Sequence, residues 1–163
     1  MGLSKIGIIV ENLTDEDIPG LSQVERMIGF KKSFEEHGLT VNEDLVFELK
    51  HFRMETGRNF ARKIVNENID IDGIFCAAGD KVALGLIDEL KKLGKRIPED
   101  YAVVGFDDID IAELVSPPLT TIRQDLHGLG ETAYNLAVQA IEKEEITQRH
   151  IEFDTTLIVR GTA

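Results

Sequence analysis

The stretch Gly73-Ile-Phe-Cys-Ala-Ala-Gly-Asp-Lys-Val-Ala-Leu-Gly-Leu-Ile-Asp-Glu-Leu-Lys-Lys-Leu-Gly94 changes its apolar period half-way along. Its first part, Gly73–Ala78, is a short apolar run, the mark of a strand buried on both faces. From Asp80 onward Val82, Leu84, Ile87, Leu90 and Leu93 recur at helical spacing. Gly94 suits the residue just past a helix, and Pro98 blocks its continuation. A buried strand followed directly by an amphipathic helix is half of a βαβ unit, which predicts further strand–helix pairs along the chain.

The alternation continues in both directions. Downstream, Tyr101–Phe106 reads as a strand and Thr120–Ile122 as a short extended segment after Pro117-Pro118. Asp125–Lys143 follows as a helix with Ala133, Leu136, Ala137, Ala140 and Ile141 on one face, and His150–Val159 as a last, alternating strand at an edge. Upstream, Lys5–Val10 is a buried strand. Ser22-x-x-Glu25 has the form of a capping box opening a helix that ends near Gly38. Leu45–Leu49 is a second strand, and Thr56–Glu67 a helix with Phe60, Ile64 and Val65 inward. Short connections between strands and helices predict an α/β fold: a doubly wound, mainly parallel sheet covered on both faces.

Composition limits the function classes. The 163 residues suit one domain, and a 42% apolar fraction supplies a core. The net charge of -12 should repel a phosphate backbone, so DNA binding by this stretch is not expected. No apolar run approaches the roughly 20 residues of a membrane helix. One cysteine, Cys76, allows no internal disulfide, which agrees with a cytoplasmic location, and its apolar strand makes it a core residue. His37, His51, His127 and His150 lack metal-ligand spacing, so neither metal nor cofactor is expected. The chain has no G-x-S-x-G, Walker loop, G-x-G-x-x-G or C-x-x-C, and an enzyme is not expected.

In doubly wound sheets ligands sit beyond the carboxyl ends of the strands. The residues there are Phe52, Gly79, Asp80, Asp107, Asp108 and Gln124, with Arg26 in the first turns of the helix after the first strand. Carboxylate, guanidinium, amide and aromatic face together make a polyol site. Each also has a plainer reading. Asp80 reads more readily as a helix N-cap, and Asp107 or Asp108 as a turn cap. Phe52 reads as core and Arg26 as a solvated helix residue.

Four segments in order resemble the lac repressor (LacI/GalR) family of bacterial transcription regulators. They are Arg26-Met-Ile-Gly-Phe30, Gly73–Gly85, Ile97-Pro-Glu-Asp-Tyr-Ala-Val-Val-Gly-Phe-Asp-Asp-Ile109 and Pro117-Pro-Leu-Thr-Thr-Ile-Arg-Gln-Asp125. The resemblance implies a periplasmic-binding-protein-like type I subdomain. It would be a single effector-binding lobe over 1–163, with the helix-turn-helix and first subdomain of such regulators lying outside this stretch. It further implies that Arg26, Phe52, Asp107 and Gln124 contact a small sugar-like effector, beside Gly79 and Asp80. DNA would be bound only through the N-terminal domain. Gly79 departs from the Asn common in sugar-binding members, and Leu126 stands where some members carry an aromatic. The equivalents of Leu84 and Val115 lie at a two-fold contact in the family, and Ile111 belongs to the same apolar stretch, so a homodimer is expected. The alternative is a lobe of a periplasmic sugar-binding transport protein, and an enzyme on the same scaffold ranks below both.

Overall fold

The structure, a computed structural model, describes residues 5–11, 22–142 and 151–163. Its centre is a six-stranded sheet in the order β2-β1-β3-β4-β5-β6. The strands are β1 (Ile6–Glu11), β2 (Val46–Leu49), β3 (Gly73–Cys76), β4 (Ala102–Asp107), β5 (Thr120–Gln124) and β6 (Thr155–Ile158). The first five run parallel, and β6 pairs with β5 antiparallel. The helices are α1 (Ser22–Glu36), α2 (Met54–Asn66), α3 (Asp80–Lys92) and α4 (Leu126–Glu142). The expected α/β, mainly parallel sheet is thus observed.

Alternate side chains of each strand sort the core onto two faces. Ile9, Ile74, Cys76 and Val103 pack with Phe60, Ile64, Val82, Leu86 and Leu90 from α2 and α3. Ile8, Val10 and Ala77 pack with Met27 of α1 on the other face. Phe30 of α1 stands between Phe34, at 4.8 Å, and Phe75 of β3, at 6.4 Å between ring centroids. Helix α1 ends as the glycine signal predicts. Gly38 is left-handed, and the Leu39 N–H closes on the Phe34 carbonyl at 2.9 Å.

Helices α2 and α3 meet backbone to backbone. A Cβ on Gly85 would run into the carbonyl of Met54, and one on Gly57 into the carbonyl of Val82. Two glycines facing each other let the helices approach closely enough to enclose Val82, Ala83 and Leu86 completely. The rim of this contact is ionic: Arg62 reaches Glu89 at 2.7 Å, and Arg58 reaches Asp88 at 2.9 Å.

Three features are set by packing and not by local pattern. Helix α3 carries no exposed apolar stripe: Leu84 is 5% exposed and Ile87 and Leu90 are buried, because α2 and the 3-10 turn Asp110–Glu113 cover what the sheet does not. The last strand is confined to Thr155–Ile158, and His150 lies outside the described residues, as does Lys143. Helix α4 forms as expected, yet none of its described residues is buried, and Ile141 stands in the open. The apolar face of Leu136, Ala137, Ala140 and Ile141 therefore finds no close packing among the described residues.

Candidate effector site at the carboxyl end of the sheet

The strand order reverses between β1 and β3, where the connections leave in opposite directions. Parallel sheets open a crevice at such a point, beyond the strand carboxyl ends. Arg26, Gly79, Asp107 and Gln124 converge on this end. The Arg26 guanidinium lies 3.6 Å from the centroid of the Phe106 ring, and its Nη1 donates to the Ala77 carbonyl at 2.6 Å. Ring and carbonyl fix the guanidinium plane and leave further N–H groups of the fork for other acceptors. Burial pulls the Arg26 pKa below its ordinary value, against the opposing pull of Asp107. An arginine so held remains charged at neutral pH.

Asp107 accepts a hydrogen bond from Gln124 Nε2 on Oδ1 at 3.0 Å. Its Oδ2 lies over Gly79, where an added Cβ would stand 2.8 Å away. Burial raises the Asp107 pKa, opposed by Arg26, by the Gln124 hydrogen bond and by Lys81. Arg26, Asp107 and Gln124 thus set a donor fork, a carboxylate and an amide at one edge, a set that fits neighbouring hydroxyls.

Two aspartates serve beneath this surface. Asp80 is 0% exposed; its Oδ2 accepts from the Ile109 N–H at 3.0 Å and its Oδ1 from the Thr121 hydroxyl at 2.6 Å. It is the first residue of α3, the N-cap being Gly79, so the N-cap reading is corrected. Asp80 joins α3 to β5 and to the turn after β4, below the crevice. Burial raises its pKa, opposed by those two hydrogen bonds. Asp108 carries a side chain only 4% exposed, held by Arg123 Nε at 2.6 Å and Arg160 Nη1 at 2.7 Å. Burial pushes its pKa up, but the two arginines outweigh burial and hold it below the ordinary carboxylate range.

Phe52 lies in the turn between β2 and α2 and is 42% exposed, which removes the core reading. Its strand, β2, is the sheet edge next to β1, so Phe52 stands off from the cluster around Asp107. Leu126 opens α4 and is exposed. Among the described residues no group of three or more His, Cys, Asp or Glu is placed to hold a metal ion. No helix there is long and apolar enough to cross a membrane. Phe106, Arg123 and Arg160 were not legible as site residues: Phe106 ends an apolar strand, Arg123 lies inside the segment Pro117–Asp125 with nothing local to mark a partner, and Arg160 carries no motif.

The whole chain, residues 1–163, matches the periplasmic binding protein-like domain family. This chain belongs to that family. Within it the chain is of the lac repressor (LacI/GalR) type. It is 38% identical over 138 residues to the HTH-type transcriptional repressor PurR of Vibrio vulnificus (strain CMCP6), an alignment covering 85% of this chain and 41% of the repressor. The chain thus spans about two fifths of the length of the curated relatives it matches. The structure superposes on a CelR–cellobiose complex, a transcriptional regulator, with TM-score 0.87 and 30% identity, over 99% of this chain and 47% of that one. On the transcription regulator CcpA of Lactococcus lactis the TM-score is 0.86 at 27% identity, over 99% and 56% of the two chains.

Gly79 has φ of +104°, a region that L side chains rarely adopt. Gly79→Asn should cost about 1–3 kcal/mol of stability from backbone strain and push Asp107 off Gln124. Denaturant midpoints and the position of the Asp107 carboxylate in a crystal structure of the variant check both. An unchanged midpoint would contradict the strain argument.

Proposed function

We propose that this chain is the effector-sensing lobe of a LacI-type transcription regulator, binding a small sugar-like molecule and transforming nothing. The observation that carries the reading is the convergence of Arg26, Asp107 and Gln124 beyond the carboxyl ends of the strands. Carboxylate, fork and amide present hydrogen bonds to a polar ligand, with no nucleophile–base pair beside them among the described residues. The relatives, named as transcriptional repressors or regulators, favour this reading over a transport protein. Two of them bear on the ligand and the DNA: the CelR structure is a cellobiose complex, and PurR is named a helix-turn-helix repressor. The proposed effector sites are Arg26, Phe52, Gly79, Asp107 and Gln124, with Asp80 supporting them from below. DNA contact belongs to the parent's N-terminal domain, because this acidic lobe repels phosphate. The location is cytoplasmic, where DNA is.

In the parent, the effector would favour one of two subdomain orientations through its difference in affinity for them. Operator binding by the full-length parent, followed by fluorescence anisotropy across a panel of mono- and disaccharides, tests the reading. A saturable shift in operator affinity with one sugar is expected. Operator binding that no member of the panel moves, with tight sugar uptake by the same protein, would favour the transport reading. The lobe alone supplies one wall of a cleft and should bind sugars weakly, as calorimetry would show.

The lobe is also proposed to form a homodimer through α3 and the turn after β4. Leu84, Ile87, Ile111 and Val115 line one open groove of about 570 Å³, rimmed by Arg58, Asp88 and Lys92. Beside it Ile111 is 47% and Leu114 76% exposed. An exposed apolar patch with a polar rim is the form of a two-fold interface. Leu84 supports the groove floor, so a charge there would test folding. Ile111→Lys is the cleaner probe: light scattering should show a dimer weakened at least tenfold. A wild-type monomer at high concentration would remove the proposal.

A further inference from the structure

Asp107 and Asp108 are consecutive non-glycine residues with positive φ, +109° and +52°. Such conformations persist only where the surroundings over-determine them. Here three groups do so, and none belongs to the effector cluster itself. The Ile109 N–H is bound by buried Asp80. Arg123, on β5, donates from Nε to Asp108 Oδ2 at 2.6 Å. Arg160, in the segment after β6, sets Nη1 2.7 Å from Asp108 Oδ1, an ion contact outside hydrogen-bond alignment, while the same nitrogen donates to the Leu119 carbonyl at 2.8 Å.

Arg160 is itself anchored. Its backbone N–H donates to the Thr120 hydroxyl at 2.9 Å. Two residues on, Thr162 is completely buried; its hydroxyl donates to the Val103 carbonyl at 2.7 Å and accepts from the Thr120 N–H at 2.8 Å. Segment 160–162 is thus threaded across β4 and β5, with its one charge under the turn that carries Asp107. A strand that continued past Phe106 with ordinary φ would direct the next side chain by simple alternation. The positive φ of Asp107 breaks the alternation and turns its carboxylate to Gln124 and over Gly79.

We propose that Arg160 and Arg123 are positioning residues for the effector site: by clamping Asp108 they hold the turn that aims Asp107. The binding consequence rests on the proposed effector role of Asp107; the geometric part does not, and the test reads the geometry without any ligand.

The test is nuclear magnetic resonance on the 163-residue chain, following the Gln124 side-chain amide and the Asp107 carboxyl carbon through a pH titration. In the unaltered chain the Gln124 amide should shift with the titration of Asp107, because the two are hydrogen-bonded. Arg160→Gln should abolish that coupled shift, Arg160→Lys should restore part of it, and Arg123→Gln should weaken it. A thermal midpoint measured alongside separates positioning from general destabilisation. If the midpoint falls while the coupled shift stays whole, the proposal is overturned. Should Arg160→Gln not fold, Arg123→Gln and Asp108→Asn decide. Arg123 is over half exposed and Asn is isosteric with Asp, so these are the milder changes, and dispersed amide resonances check that each variant folds. A coupled shift unchanged in both overturns the clamp, and its loss in both supports it. An effector response absent from the parent while the clamp result holds would count against the function reading alone.

Discussion

Gly85→Ala is expected to destabilise the chain by about 3 kcal/mol, the upper part of the usual range for overpacking. For a chain of this size that corresponds to a thermal midpoint lower by roughly 10 °C. The added methyl has nowhere to go. It would meet the backbone of Met54, at the start of α2, and that backbone cannot rotate away as a flexible side chain could. The two helices must separate, and separation opens the packing around Val82 and Leu86, both fully buried. The control is Gly29→Ala, in the middle of α1, where an added Cβ meets nothing within 4 Å. There the better helix propensity of alanine should leave stability unchanged or raised by up to about 1 kcal/mol. Urea midpoints on both variants measure the contrast. Equal effects at 85 and 29 would mean that the close α2–α3 approach is not what holds this half of the core.

The second large effect is on the proposed ligand response. In the full-length parent, Asp107→Ala should weaken the effector about ten- to a hundredfold. That is the scale of losing a charge-assisted hydrogen bond worth about 1.5–3 kcal/mol. Operator affinity without effector should stay within about twofold, because Asp107 lies at the crevice, while the charge of this lobe disfavours DNA contact. Alanine keeps a Cβ at a φ of +109°, so the substitution leaves the backbone strain in place. The variant should therefore not gain much stability. Effector titrations of operator binding measure both quantities. Equal loss of effector response and operator affinity would assign Asp107 to folding.

Much of this molecule is visible in local patterns. The change of period between Cys76 and Asp80 marks the passage from β3 to α3, and Gly38 and Gly94 mark helix ends. The convergence of Arg26, Gly79, Asp107 and Gln124 follows from the rule that parallel strands present their carboxyl ends on one side. Phe52 was placed by the same rule, yet the sheet order sets it at the β2 edge, apart from the others.

What the chain determines by itself is what depends on neighbours within a helical turn or a strand: periodicity, caps, and which residue type follows each strand. Those terms act between residues a few positions apart, so they are written in the sequence. The tertiary structure alone decided the rest. Asp80 is no cap and no surface ligand, because its carboxylate finds Ile109 and Thr121 from elements far along the chain. Leu84 sits 5% exposed at the floor of a groove, because α2 and the turn after β4 pack beside α3. Asp108 is gripped by Arg123 and Arg160, because β5 and the closing segment are laid beside β4. Burying a carboxylate requires partners to offset its lost hydration. Which partners arrive is set by the order of strands across the sheet, and no period or motif along a single strand encodes that order.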